Sequence, residues 1–341
     1  MGKQLNKPTI LAAGTFVVDY HKTVKHYPSE RASSKITGEV ISNGGAPFNL
    51  LVDLAKLGTH ANLHASGRIA QDLDGKFIVE TCNTHGIDIS QLSYDRAAAT
   101  GYTDVFTVEE SGRHTCFHFA GAGGNFSRDD VKLDTAKPDY LFLGSLGALG
   151  KLEAVNPDSG RADSTKLIRD ARKRGITTII EFAPLDRGAR LEEFAETLAE
   201  SDYVIVNDRV AETITETSLY SENIFDPDLA RKAAQQILDT GLRIAVIIHS
   251  GAGAVYVGAD GTFYKSNGYF LPWEERSGSA GVDHAFCAGF INGLMGSQDE
   301  AECLRRGLAV STMCRKDLTP SDSIESMDTC ISFCETSQQV K

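Results

Sequence analysis

The chain has 341 residues, 41% hydrophobic and 23% charged, values typical of a globular protein that exclude a disordered one. Its 34 basic and 46 acidic residues give a net charge of −12, which argues against nucleic acid or an anionic membrane as the main partner. No stretch approaches the roughly 20 apolar residues that a membrane span needs, and the polar start lacks a signal layout. We therefore expect a cytoplasmic protein. The 7 cysteines show no C-x-x-C pair, so we expect free thiols and predict no zinc site on them.

Apolar, β-branched runs alternate with segments of helical period along the chain. The runs that predict buried parallel strands are residues 9–13, 140–143, 177–180, 203–206 and 244–248. The segments that predict helices are residues 47–57, 75–84, 164–174, 191–199, 228–238, 285–294 and 300–313. Repeated strand–helix–strand units favour an α/β fold with a doubly wound, mainly parallel sheet flanked by helices.

Two regions break this rhythm. Residues 16–26 and 36–42 alternate in the manner of strands, and so do residues 103–108 and 114–119, which a turn connects. These segments predict a small β-sheet lid, inserted at about 16–42 and 100–120 into one domain that spans residues 1–341. The last dozen residues, from Thr329, are predicted to be peripheral.

Two glycine-containing motifs each run into a predicted helix. Gly44 and Gly45 precede the first helix, which carries Asn49 in its opening turns, and such glycines allow the backbone to approach a ligand closely. The second motif runs from Gly278 through Gly281 into residues 282–290. A helix N-terminus favours an anion such as a phosphoryl group.

These motifs, together with Gly67-Arg68 before Asp72, resemble those of the ribokinase-like (PfkB) carbohydrate kinases. The resemblance covers residues 8 to 328 and implies a ribokinase-like fold with a lid. On the sugar side it implies that Asp19 accepts hydrogen bonds from sugar hydroxyls. It also implies that Gly44, Gly45 and Asn49 form the second sugar-binding segment.

The phosphate side departs from the family pattern. Family members carry Gly-Ala-Gly-Asp here, with an anion hole and a catalytic Asp, whereas this chain reads Gly281-Val282-Asp283-His284. His284 therefore stands at the position of the catalytic Asp, and Asp283 replaces the second glycine. The resemblance leaves both as candidate bases and leaves Gly281 in the anion hole.

Other nucleotide-side segments are partly kept. In the family's Asn-x-x-Glu, which orders magnesium water around the phosphates, Asn207 is present but Val210 replaces the Glu. The loop with Ser250, Gly251 and Gly253 resembles the family's nucleotide-binding Gly-x-x-Gly. Glu181 retains one carboxylate of the family's Asp-Pro-Asn segment.

The resemblance implies an ATP- and Mg²⁺-dependent sugar kinase that phosphorylates a sugar or polyol hydroxyl, with activity weakened by these changes. The alternative is a non-catalytic pseudokinase that binds sugar, nucleotide or both as a sensor or partner protein. A homodimer formed through the lid is also expected. A dinucleotide-dependent oxidoreductase is disfavoured, because no G-x-G-x-x-G motif follows the first strand.

Overall fold

The computed structural model describes residues 7–157 and 160–336. Its strands, β1 to β17 in chain order, are Thr9–Ala13, Val17–Val24, Ile36–Gly44, Asn62–Ala70, Asp88–Asp95, Gly101–Val108, His114–Phe119, Tyr140–Leu146, Val155–Asn156, Arg161–Ala162, Thr177–Phe182, Tyr203–Asn207, Tyr220–Ser221, Ile224–Phe225, Ala245–His249, Gly253–Gly258 and Phe263–Asn267. Its α-helices, α1 to α10, are Ala46–Lys56, Leu73–Thr84, Leu133–Ala136, Asp163–Lys173, Leu191–Leu198, Asp208–Thr215, Pro227–Leu238, Val282–Met295, Glu300–Cys314 and Met327–Thr336.

The large sheet has nine strands in the order β17-β16-β15-β12-β11-β8-β1-β4-β5. Neighbouring strands from β15 to β5 are parallel, and β16 and β17 add an antiparallel edge. The chain moves outward from β1 to β4 and β5 on one side, and from β8 to β11, β12 and β15 on the other. In such sheets ligands bind outside the carboxyl ends of the strands where this direction reverses. The topology thus directs attention to the carboxyl ends of β1 and β8.

Helices cover both faces of the large sheet, because consecutive apolar residues of β1 point to opposite faces and both must be buried. Ile10 and Ala12 point into a core shared with α1, α2, α8, α9 and α10, whereas Leu11 and Ala13 point into a core shared with α4 to α7. This layering confirms the predicted doubly wound α/β class. Among residues 7–157 and 160–336, no helix is long and apolar enough to cross a membrane.

A second sheet contains β3, β2, β6 and β7 in that order. The β2–β3 and β6–β7 pairs are antiparallel, and β2 pairs with β6 in parallel. The predicted strands at residues 16–26, 36–42, 103–108 and 114–119 therefore do form a separate small sheet. Its β2 and β3 come directly before α1, so the small sheet adjoins the carboxyl end of β1.

Several elements differ from the sequence prediction. The pattern missed β4, β5, β16 and β17 of the large sheet, and it missed α6 and α10. The terminal residues that we expected to be peripheral include part of α10, where Cys330 and Cys334 are fully buried. That prediction was wrong because α10 packs on α9 through these thiols and adds to the core. Of the cysteines, all are free and only Cys116 is exposed.

Candidate active site

The carboxyl ends of four neighbouring strands carry polar side chains toward one crevice. Ser145 lies near the end of β8, Glu181 near the end of β11, Asn207 at the end of β12 and His249 at the end of β15. Because these strands are parallel neighbours, their ends share one edge of the sheet. The crevice at the reversal of strand order is thus lined by hydrogen-bonding groups.

The small sheet holds Asp19 over this crevice. Asp19 lies on β2 opposite Thr103 of β6 and is buried. Burial raises the pKa of Asp19 to about 7, with the hydrogen bond from the Thr103 side chain acting in the opposite direction. A Cβ on Gly44 would lie only 2.1 Å from Oδ1 of Asp19, so the carboxylate contacts the glycine backbone. Two predicted residues from β2 and β3 therefore meet directly.

Helix α1 starts from a backbone conformation that favours glycine. Gly45 has φ +82°, and a Cβ there would lie 2.2 Å from the carbonyl oxygen of Thr15. One turn later, Oδ1 of Asn49 accepts a 2.7 Å hydrogen bond from Nδ2 of Asn43. Nδ2 of Asn49 donates to Nδ1 of His284 at 3.0 Å. Asn49 thus links the sugar-side motif to the start of α8, more than 200 residues away.

Helix α8 also begins after a glycine with positive φ. Gly281 has φ +76°, and a Cβ there would lie 2.2 Å from Cβ of Pro320. The first turn of α8 therefore packs tightly against the loop after α9. Asp283 and His284 lie in this turn and face different partners.

Asp283 turns toward the ends of β12 and β15. Nδ2 of Asn207 donates to Oδ2 of Asp283 at 2.7 Å, and Nδ1 of His249 lies 4.0 Å from Oδ1. Asn207 also caps α6, because its Oδ1 accepts from the backbone N–H of Val210 at 2.8 Å. The Asp283 side chain is 43% exposed, so its charge is open to solvent and to a ligand.

His284 turns the other way, toward β11. Its Nε2 lies 3.8 Å from Oε1 of Glu181, while its Nδ1 accepts the bond from Asn49. Burial lowers the pKa of His284, although the negative charge of Asp283 acts in the opposite direction. A neutral imidazole in this setting carries its proton on Nε2, the nitrogen that faces Glu181.

Glu181 was noted in the sequence only as a retained carboxylate, without a catalytic role. It is buried, and its Oε2 accepts the backbone N–H of Ser145 at 2.8 Å. Burial raises the pKa of Glu181 to about 8, opposed by the Ser145 hydrogen bond and assisted by the negative charge of Asp283. Its position at the end of a predicted parallel strand was the available signal, but its contact with His284 depends on the tertiary fold.

Val210 faces the protein core. It is 3% exposed and packs with the α6 and α7 side chains, so the family's Glu at this position has no counterpart in the crevice. The two nearby acids already have partners. Asp208 accepts from the hydroxyl of Tyr220, and Glu212 accepts the backbone N–H of Leu219 at 2.8 Å.

The loop after β15 forms the remaining wall. Ser250 is buried and its backbone N–H donates to the carbonyl of Gly253 at 2.8 Å, which closes the turn into β16. A Cβ on Gly251 would lie 2.5 Å from a guanidinium nitrogen of Arg315, so this cation lies directly over the loop. Burial lowers the pKa of Arg315, and the negative charges of Asp208 and Asp283 act in the opposite direction. The sequence analysis did not identify Arg315.

The small sheet also contacts the loop before α8. Nδ1 of His114 on β7 lies 3.0 Å from Oγ of Ser279. This contact joins the sheet that carries Asp19 to the loop that leads into Gly281. Within residues 7–157 and 160–336, no cluster of three or more His, Cys, Asp or Glu residues is arranged to hold a metal ion.

Comparison with known proteins identifies the family of the chain. Residues 8–327 match the family model described as pfkB family carbohydrate kinase. Since the match spans nearly the whole chain, the protein belongs to the pfkB family of carbohydrate kinases. The family resemblance read from the sequence is thereby confirmed.

Individual relatives are more distant. A protein of Clostridium perfringens named 5-dehydro-2-deoxygluconokinase is 24% identical, and the match covers 93% of this chain and 91% of the relative. A protein of the same name from Geobacillus thermodenitrificans is also 24% identical, and the match covers 93% of this chain and 90% of the relative. A ribokinase of Giardia lamblia superposes with a TM-score of 0.78, 17% identity and coverage of 96% of this chain and 100% of the other. The structure of Arabidopsis thaliana ribokinase complexed with ribose and ATP superposes with a TM-score of 0.77 and 17% sequence identity. The superposition covers 96% of this chain and 99% of the other. These structures share the ribokinase-like fold.

Proposed function

We propose that this protein is an ATP-dependent sugar kinase that transfers the γ-phosphoryl group of ATP to a sugar or polyol hydroxyl, with weakened activity. The observation that carries the proposal is the convergence of Asp19, Asn49 and His284 at the crevice where strand order reverses. These residues come from three distant segments, and Asn49 bonds His284 directly. Core packing alone does not require a buried polar cluster of this kind.

The sugar binds on the side of Asp19 and Asn49. The Asp19 carboxylate, held against Gly44, accepts hydrogen bonds from hydroxyl groups, and Gly45 keeps the backbone open for close approach. The Asn49 amide uses one hydrogen and one lone pair within the protein and keeps the others for the sugar. The relatives' names make 5-dehydro-2-deoxygluconate the first substrate to test.

ATP binds on the side of the loop after β15. Ser250, Gly251 and Gly253 shape this loop, and Arg315 supplies a cation for the phosphates. Mg²⁺ enters with ATP as part of the nucleotide substrate, next to Asn207. Gly281 opens the helix whose N-terminus receives the transferring phosphoryl group, and His284 occupies the catalytic position beside it.

The expected weakening follows from Asp283. Its half-exposed carboxylate lies in the first turn of α8, where the γ-phosphate approaches. Two negative charges 4 Å apart repel by about 1 kcal/mol in water and by more where solvent is excluded. Transfer therefore proceeds against an added electrostatic barrier.

A second candidate function is sugar binding without transfer. One observation favours it: Asp283 holds the amide of Asn207, the residue that would otherwise face the magnesium and phosphates. In that case the protein acts as a sugar sensor or partner protein.

We further propose that the four-stranded sheet serves as a lid and joins two subunits. One face of the sheet leaves five large hydrophobic side chains exposed, and contiguous exposed apolar surface is typical of an interface. They are Ile36, Ile41, Tyr102, Phe117 and Phe119. Light scattering should report a dimer for the wild type and a monomer for Phe117→Asp, and a wild-type monomer would contradict the dimer.

Two measurements on the same sample test the function. Calorimetry measures the binding of MgATP and of sugars from a panel that includes 5-dehydro-2-deoxygluconate, ribose and fructose. A coupled assay then measures sugar-dependent ADP release. Slow sugar-dependent release supports the kinase, whereas sugar binding without any release supports the second candidate.

A further inference from the structure

The distance between Glu181 and His284 suits a hydroxyl group that bridges the two side chains. Nε2 of His284 and Oε1 of Glu181 are 3.8 Å apart, which is too far for a direct hydrogen bond. An oxygen atom can lie at hydrogen-bond distance, about 2.8 Å, from both atoms at once, because 3.8 Å is less than twice that distance. Such an oxygen can accept a hydrogen bond from Nε2–H and donate its own hydrogen to Oε1.

The hydrogen-bond chain behind His284 fixes which of its nitrogens faces this space. Asn43 donates to Oγ of Ser321 at 2.9 Å and to Asn49 at 2.7 Å, and Ser321 donates to Asp53. With its oxygen used by Asn43, Asn49 presents Nδ2 to His284 as a donor. Nδ1 of His284 is therefore an acceptor, and neutral His284 presents Nε2–H to the space. In this tautomer it donates a hydrogen bond and has no free lone pair for a proton.

Glu181 is held with one oxygen free. Its Oε2 is bound by the backbone N–H of Ser145, a non-glycine residue with φ +65°, which leaves Oε1 directed at His284. Positive φ at such a residue is uncommon and concentrates at functional sites. The other ionisable groups that influence Glu181 are the carboxylate of Asp283, whose oxygens face Asn207 and His249, and the thiol of Cys287.

From this geometry we infer that Glu181 is the catalytic base that accepts the proton of the sugar hydroxyl, and that His284 positions this hydroxyl through Nε2–H. The inference rests on the proposed sugar kinase function and deepens it. The hydroxyl O–H bond breaks and its proton passes to Oε1. The hydroxyl oxygen forms a bond to the γ-phosphorus of ATP, and the bond from that phosphorus to the bridging oxygen breaks, with its electron pair leaving on ADP.

Glu181 and His284 predict different pH profiles of wild-type kcat, measured at saturating sugar so that the titration of Asp19 in the free protein does not enter. With Glu181 as the base, kcat rises with pH and reaches half its maximum near pH 8, because burial raises the pKa of Glu181 to about 8 and the base acts only when ionised. With His284 as the base, kcat reaches half its maximum below pH 6.5, because the pKa of His284 is lowered from 6.5. The profile requires no variant, so it decides the question even if a substitution impairs folding.

The variants give the second readout, with MgATP and the best acceptor of the sugar panel. Glu181→Gln should retain calorimetric sugar binding, lower kcat by roughly 10²–10⁴-fold and remove the rise toward pH 8. His284→Gln, which keeps an N–H donor, should lose less than Glu181→Gln. The matched control is Glu153→Gln, another carboxylate that accepts backbone N–H groups after β8 but does not face the crevice.

The outcomes separate the base from the function. A wild-type kcat that reaches half its maximum below pH 6.5, or a Glu181→Gln variant with nearly wild-type kcat, overturns the assignment of Glu181 and leaves the kinase intact. Absence of sugar-dependent ADP release from the wild type across the panel contradicts the proposed function and the base assignment together.

Discussion

On the side of the crevice that we propose binds the sugar, the acceptor side, the Asp19 carboxylate lies against the backbone of Gly44, where even one added carbon would lie 2.1 Å from its oxygen. On the side that we propose binds the transferring phosphate, the phosphate side, Asp283 and His284 lie in the first turn of α8 and face polar partners. Any side chain at position 44 would clash with Asp19, whereas a side chain at position 283 faces solvent and the amide of Asn207. The phosphate side can therefore change its chemistry without refolding, whereas packing constrains the acceptor side.

The largest expected effect is on the acceptor side. Asp19→Ala removes the proposed acceptor of sugar hydroxyls, each worth roughly 1–3 kcal/mol when left unpaired, so sugar affinity should fall roughly 100-fold. Calorimetry measures this change. Asp104→Ala is the control, since Asp104 lies on the neighbouring strand and bonds Lys22 instead. Equal affinities for Asp19→Ala and the wild type would remove Asp19 from the site.

Restoring the family's Glu at position 210 tests whether every position on the phosphate side tolerates substitution. Val210→Glu places a carboxylate at a position that is 3% exposed, so the free energy of unfolding should fall by about 2 kcal/mol or more. Denaturant unfolding measures it, with the exposed Arg209→Glu on the same helix as the control. Unchanged stability would show that position 210 can reach the crevice.

Sugar affinity should also depend on pH, because the pKa of Asp19 is raised to about 7 in the free protein. Hydroxyl groups donate to the ionised carboxylate, so protonation competes with binding. Affinity should be about tenfold higher at pH 8 than at pH 6. Calorimetry at the two pH values tests this, and Asp19→Asn should remove the dependence. A wild-type affinity that does not vary would place the titrating group elsewhere.

The smallest expected effect lies on the phosphate side. Asp283→Asn removes a negative charge but keeps an oxygen for the Asn207 bond, so turnover should rise roughly fivefold, as expected for about 1 kcal/mol of repulsion. Asp283→Glu keeps the charge and should gain nothing. If both variants turn over sugar equally, charge at this position does not limit the reaction.

The sequence predicted the fold class well because the central parallel strands are continuous apolar runs, such as the one at residues 203–206. It missed β4, because polar residues and Gly67 interrupt the apolar pattern of this strand. It also missed α6, where one face buries Val210, Ala211 and Ile214 and tertiary packing outweighs weak helix propensity.

The candidate site shows a similar division. Asp19, Asn49 and His284 were identified through motif resemblance, and the structure brings their segments together at one crevice. The close approach of the Glu181 and His284 side chains could not be predicted, because it depends on how the end of β11 and the start of α8 pack together in the fold. Periodicity along the chain carries no information about that distance. Arg315 likewise gave no signal before its guanidinium was seen over Gly251.

We propose that the crevice transfers the phosphoryl group despite its altered phosphate side. The most direct test is a single-turnover reaction with enzyme in excess over γ-³²P-labelled ATP, with each sugar of the panel, because it reports chemistry without product release. We expect label to appear slowly in the sugar, and only when both sugar and Mg²⁺ are present. Label that remains entirely in ATP, while calorimetry shows that sugar and nucleotide are bound, would contradict it.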